Sequence, residues 1–355
     1  MLNCHYTLHV GRGFVTEPRV PAPGEQTIPS AENFLKAVFL VASMLASFCV
    51  VQSGAEAIAA AMPDSRLAAG LKWLLVATVG IWDCMLLTGM GILAHDAVHR
   101  VLFRTPLWNE LAGGLLSALA MLPFYANRQF HLTHHSHAHQ PGLDPENEMH
   151  NHSFLYSATV GSVLALYIQY RTLFRNFARR GDPRYTARAA KDLLLLFAAA
   201  LFYFVLVPAL GLSLALTVAP MLLALLPVFA WRALSDHYGV PPAERAANRQ
   251  DVLEADPAAW EHDEAKRRRE VTGWVVLTSP WLEWLWSHVN YHEVHHKFPW
   301  LSHVHLKAAF EATRGHEPYL VVGGYWRSLF NNSRSRYYET QEHTRPFLNS
   351  PDGAR

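Results

Sequence analysis

From Leu193 to Trp231 the chain carries no charged residue. A helix needs about 20 consecutive apolar residues to cross a bilayer core, and this run is long enough for two crossings. Pro208 and Gly211 interrupt its middle. Proline and glycine together break helices, so the run is expected to form a tight helical hairpin. Two earlier segments also reach span length: Ala37 to Ala55, and Trp73 to Ala94 with Asp83 as its one charge. A charge at that depth is costly and often functional, so Asp83 either serves a site or pairs with a neighbouring helix. The expected fold is all-α and integral to the membrane. It has four transmembrane helices and a cytoplasmic helical cap. The composition agrees, with 51% hydrophobic residues and only 17% charged.

Two further stretches are apolar but short. Leu111 to Phe124 cannot span comfortably, and Phe154 to Tyr170 is expected to lie along the interface. Trp274 to Trp286 is rich in tryptophan, which prefers the headgroup level. Basic residues mark the cytoplasmic side. They crowd residues 171–191 and 232–270, and are sparser between the first two spans, where Arg66 lies. Both termini and the active site are therefore expected on the cytoplasmic side. The first 30 residues are polar and proline-rich, unlike a cleavable signal. The division expected is a flexible tail over 1–32, a membrane domain with its cap over 33–310, and a cytoplasmic tail over 311–355. A net charge of +1 gives no sign of a nucleic-acid partner, and Cys4, Cys49 and Cys84 fit neither a disulfide framework nor a CxxC metal knuckle.

The chain has 21 histidines, and many of them cluster. His95-Asp96-Ala97-Val98-His99 stands where the second span leaves the membrane. Its imidazoles are four residues apart and share a helix face. His131-Leu132-Thr133-His134-His135 and His292-Glu293-Val294-His295-His296 repeat an HxxHH pattern. In such a triplet the first ring points with the other two, while the adjacent pair diverges by about 100°. One triplet can therefore serve two metal ions. His237 follows the fourth span and emerges on the same side. These nine rings suit two ions with four or five ligands each. Imidazole alone does not name the metal, since iron, zinc, copper and nickel all accept it. Asp96, Asp236 and Glu293 are placed to accept hydrogen bonds from ligand rings. Asp144 and Glu146 either turn a loop or orient a ligand helix. His137, His139, His150, His152, His288, His303 and His305 are read as outer or surface groups. The common face also argues against a span at Phe154 to Tyr170, because one more crossing would part His237 and the third box from the first two.

The order HxxxH, HxxHH, HxxHH over roughly residues 35–310 resembles the membrane fatty-acid desaturase/hydroxylase superfamily of histidine-box di-iron enzymes. The ending His295-His296-Lys297-Phe298-Pro299 is similar to that family's HHxFP, and His237 stands where relatives have a ninth histidine. The chain departs in two places. Ala233 stands where some acyl-CoA desaturases have an asparagine, and the first box has three intervening residues rather than four. The resemblance implies two iron ions, O2 as co-substrate, a lipophilic substrate reached from the membrane lipid, and desaturation of a fatty acyl chain. No haem-binding HPGG motif is fused to the chain. The resemblance therefore implies an external electron donor, a ferredoxin or a cytochrome b5-like protein. The basic residues at 171–191 and 266–269 suit an acidic donor or the membrane surface.

Breaking an unactivated C–H bond needs a redox metal, which excludes zinc. Within this chemistry a hydroxylase or ketolase of a lipid or carotenoid is the alternative to a desaturase. A histidine-rich metal transporter or sensor is the alternative of a different class. It would need polar ligands along a path through the membrane, whereas these clusters stand at span ends and the hairpin is uncharged.

Overall fold

The four apolar runs fold as four long helices in the computed structural model, which describes residues 20–63, 65–140, 142–150, 152–178, 182–240, 271–334 and 344–350. The spans are α1 (Ser30–Ala61), α2 (Arg66–Val98), α7 (Pro183–Ala209) and α8 (Val218–His237), each long and apolar enough to cross a membrane. Between them stand α3 (Pro106–Leu119), α4 (Phe124–His137), α5 (Asn147–His150) and α6 (Ser162–Ala178). After the fourth span come β1 (Trp274–Val276), α9 (Pro280–Leu285), α10 (His292–Lys297), α11 (Leu306–Thr313), β2 (Leu320–Val322) and α12 (Tyr325–Arg334).

The outer spans bury one apolar stripe each against the central α2, which is buried on several faces. On α1, Lys36, Leu40, Met44, Phe48, Val51 and Ala55 are buried. Their spacing of three and four residues puts them on one face, turned to α2. Phe34, Leu35, Val38 and Val50 on the other faces are exposed, as a lipid-facing surface requires. α2 is the central helix and packs against α1, α3 and α8. Its Asp83 is buried and accepts a hydrogen bond from Ser47 on α1, which is the quiet pairing open to it. The hairpin breaks where proline and glycine stand: α7 ends at Ala209, and Gly211 takes a φ of +79°, a conformation natural to glycine.

The stretch Leu111 to Phe124 does not run straight. α3 ends at Leu119 and α4 leaves at 98° to it, after a turn through Met121 and Pro123. This bend lays the second histidine box across the end of α2. Phe154 to Tyr170 forms a short helical turn, a π-helical turn over Ser157–Gly161 and the first half of α6, and it is not among the helices long and apolar enough to cross a membrane.

The structure adds detail to these expectations. Among the described residues the helices are joined by one small sheet, in which β1 and β2 pair in parallel with Val275 opposite Val321. Trp274 and Trp286 are buried rather than interfacial, because their indole N–H groups reach carbonyls, those of Tyr238 at 2.8 Å and Met85 at 3.1 Å; Trp281 and Trp284 remain exposed. The boundary at residue 310 falls inside α11, and the chain beyond it folds back through β2 and α12. Residues 20–32 are likewise docked. Gln26 donates to the Trp300 carbonyl and accepts from the Ser302 amide at 2.7 Å, and the Trp300 indole donates to the Pro21 carbonyl at 3.1 Å. Residues 1–19 and the basic run 266–269 lie outside the described residues.

Candidate metal centre

Four helix ends converge on one point. α2 brings His95 in its last turn and His99 as its cap. The bend after α3 brings His131, His134 and His135 on α4. α8 ends on His237, and the short α10 begins with His292 and carries His295 and His296. The nine rings form two neighbouring groups. In the first, one ligand-capable nitrogen from each of His95, His99, His131, His135 and His295 lies within 4.8 Å of every other. In the second, the same holds for His134, His237 and His296. His292 joins this group, its Nε2 standing 2.7 Å from that of His237. The groups touch where His135 and His296 stack at 4.0 Å between ring centroids.

The helical phase sorts the triplets. On α4 His131 and His135, four apart, serve one group and His134 the other. On α10 the allotment is reversed, with His292 and His296 together and His295 across from them. Adjacent histidines on a helix diverge, so each HxxHH splits between the groups.

Hydrogen bonds fix the tautomers. His134 Nδ1 lies 2.9 Å from Asp144 Oδ1, and His237 Nδ1 lies 2.7 Å from the Thr272 carbonyl. Each partner can only accept, so the hydrogen of each ring sits on Nδ1 and each Nε2 presents a lone pair. Those two Nε2 atoms face each other at 3.1 Å. Two lone pairs at that distance repel unless a cation lies between them. Metal–imidazole bonds of about 2.0–2.1 Å put two ligands at right angles about 3 Å apart, which the separations match. In the first group the Nε2 atoms of His99 and His131 are 2.9 Å apart, and those of His135 and His295 are 3.1 Å apart. Half-buried His95 has no hydrogen-bond partner at either ring nitrogen, and His296 has none at Nε2. The donor set fits a pair of metal ions.

Burial keeps several of the rings neutral and ready to ligate. It pushes His99, His135, His292, His295 and His296 well below the ordinary imidazole value, and the neighbouring rings push them further. His131 is brought down to about 3, by burial first and then by His95.

The expected outer carboxylates take different places. Asp144 does bond a box histidine, His134, and also accepts from the amides of His139 at 2.7 Å and Glu146 at 2.8 Å. Asp96 instead accepts from His303 Nδ1 at 2.6 Å, with His95 Nδ1 at 3.8 Å. Asp236 pairs with Arg232 and stands 3.7 Å from His292 Nδ1. Glu293 touches no box ring by hydrogen bond. It accepts from the Thr272 amide at 2.9 Å and hydroxyl at 3.1 Å, so it holds the residue whose carbonyl orients His237.

Glu146 and His150 stand closer than the sequence indicated. Glu146 Oε2 is 3.1 Å from His150 Nε2 and 4.0 Å from His134 Nδ1, and Glu146, His150 and His237 form a third close group. Their spacing of four residues was the available signal. His139 Nε2 also lies 2.7 Å from the Thr272 carbonyl. His137, near Gln140, stays outside these groups.

Four apolar span-length helices with a nine-histidine cluster at the membrane ends mark a membrane protein with a candidate metal centre. The family model described as fatty acid desaturase matches residues 69–327, which is more than half of the chain and includes all three boxes. The chain belongs to the fatty acid desaturase family and is an oxidoreductase. A search of curated proteins finds no match to it.

Proposed function

We propose that the protein is a di-iron oxygenase that uses O2 and two electrons from an external donor to desaturate a fatty acyl chain. The observation that carries this reading is the facing pair of lone pairs on His134 and His237, repeated in kind across both histidine groups. His95, His99, His131, His135 and His295 would hold one iron, and His134, His237, His292 and His296 the other. Bound iron supplies the dioxygen-activating chemistry that an unactivated C–H bond requires. The chain's part is placement. Asp144 and the Thr272 carbonyl fix the tautomers of two rings, Glu293 anchors Thr272, and burial keeps protons off His99, His131, His135, His292, His295 and His296. A ferredoxin or a cytochrome b5-like protein supplies the electrons. The basic residues at 171–191 support placing the site and both termini on the cytoplasmic side.

Metal analysis and product analysis of the purified protein test the reading together. Two irons per chain are expected, and with reductant, O2 and lipid the product loses two hydrogens. Gain of one oxygen instead would assign a hydroxylase, and gain of one oxygen together with loss of two hydrogens a ketolase. His134→Ala and His295→Ala are each expected to lose iron and turnover together. Full activity in either variant would remove that ring from the ligand set.

A further inference from the structure

Adjoining the histidine cluster, with His99 in its wall, lies a cavity of about 520 Å³, within the size range of small-molecule sites. Its wall includes His99, Arg100, Arg104, Arg128, Leu132 and Trp300, and Pro23, Gly24, Gln26, Thr27 and Ile28 close one side. Three arginines line it, and among the described residues no acidic side chain does. Arg128 lies three residues before His131 on α4, so the two share a helix face. Its charge is close enough to be felt at His99. Glu110, which is the carboxylate that feels Arg128, is already engaged by the Tyr125 hydroxyl at 2.8 Å and by Lys191 at 3.4 Å. Burial, with Arg100 and Arg188 nearby, brings Arg128 down to about 10, so it stays charged at neutral pH.

Arg100 adds a second observation. It follows the cap of α2 with a φ of +61°. That left-handed position normally selects glycine. An arginine kept there, at a turn lining a cavity, fits strain retained for function. Apart from Gln26, Thr27 and His99, the rest of the wall is largely apolar, through Ile28, Val98, Val101, Leu132 and Pro299. Positive charge beside apolar wall, with Arg100 and Arg104 exposed, is the chemistry of an amphiphile site.

We infer that this cavity receives the anionic head, a carboxylate or phosphate, of the lipid on which the metal centre acts, with Arg100, Arg104 and Arg128 as its ligands. The inference rests on the lipid-oxidising reading above and narrows its substrate to anionic lipids. Residues 20–29 complete the site, because Gln26 and Pro21 tie this segment to Trp300 and Ser302.

Binding to the full-length protein in neutral detergent tests this without turnover. The probes are an alkyl phosphate, a fatty acid and a fatty alcohol of one chain length. Charge-assisted hydrogen bonds predict about tenfold or greater preference for the two anions over the alcohol. Arg104→Gln combined with Arg128→Gln should erase that preference at unchanged metal content, while Arg128→Lys should keep part of it. Arg100→Gln with Arg104→Gln, both at exposed positions, should reduce it by a separate route. Equal binding of the alcohol, or a preference that survives both double variants, overturns the inference. Displacement of the alkyl phosphate by equimolar inorganic phosphate also overturns it, since the site would then hold a free anion. Oxidation of a neutral lipid without any preference for anions would defeat this inference and leave the metal centre standing. Tight anionic binding with no oxidation would do the reverse.

Discussion

His237 gives its one hydrogen to the Thr272 carbonyl, and Thr272 is held in turn by Glu293. Glu293 is buried, which pushes its carboxyl up to about 7 against the pull of Lys297 and of the Thr272 and Gly273 amides. The orientation of one ring thus depends on a carboxylate that never touches it. Asp144 is the more direct case. Both of its oxygens accept N–H hydrogens, from His134, His139 and Glu146. In Asp144→Asn one oxygen becomes an NH2 group and must face a donor. Loss of such an outer bond typically lowers metal affinity about 10–100-fold, and competition with a chelator should show a drop of that size with the fold intact. Acid should act on the same rings. His131 sits at about 3 in the folded chain, against about 6.5 for a free imidazole. At His131 the unfolded chain therefore binds more protons between those values; Glu293 acts the opposite way below about 7, but the lowered rings of His99, His135, His292, His295 and His296 act with His131, so stability rises with pH across that window. The metal-depleted protein should melt at a constant temperature above about pH 7 and progressively lower as pH falls below about 6.5. A melting temperature that rises on acidification would contradict the burial of these rings.

At the scale of elements, the helical phase of each box was legible, and so was its division between two metal groups. Which ring goes to which group was not, because that depends on the 98° turn after α3 and on the direction of the short α10. Glu146 and His150 are spaced four apart, yet they read as a loop because Pro145 and the polar residues around it carry no apolar periodicity. Their position is set by packing. The π-helical turn ending at Gly161 presses on the α5 segment so closely that a methyl at Gly161 would collide with the Glu148 carbonyl. π-turns recur at functional sites for this kind of local re-aiming. Gly161→Ala must displace either the turn or residues 146–150. Overpacking of this kind costs about 1–3 kcal/mol, to be read from denaturant unfolding. Metal affinity should fall with it, since Glu146 stands against His131 and His134. Unchanged affinity in a destabilised variant would show that Glu146 has no part in the centre.

At the scale of the whole molecule, insertion and site assembly are separable. The four spans follow from composition, which is why they were visible in the sequence. The C-terminal region was not, because β1 and β2 pair over three residues across a long gap in the chain, and so short a pairing leaves no local pattern. Yet this region holds the site's outer wall. β2 supports β1, and Trp274 at the head of β1 donates to the Tyr238 carbonyl next to His237. Tyr325 and Trp326 close over Trp231 on α8, with ring centroids at 6.0 and 4.6 Å, and Tyr325 packs on Trp286 at 5.3 Å. Leu320, Val321, Val322 and Tyr325 are all buried. Burial of large apolar side chains of this kind contributes about 1.5–3 kcal/mol each. Truncation after Thr313 removes all four and leaves β1 with an open edge. The shortened protein should still enter the membrane fraction, because every span is intact. It should fail to retain metal, because Thr272 and Tyr238 lose the support that fixes His237. Membrane fractionation with metal analysis separates the two steps. A truncated chain with full metal content would mean that the spans and the boxes assemble the centre alone.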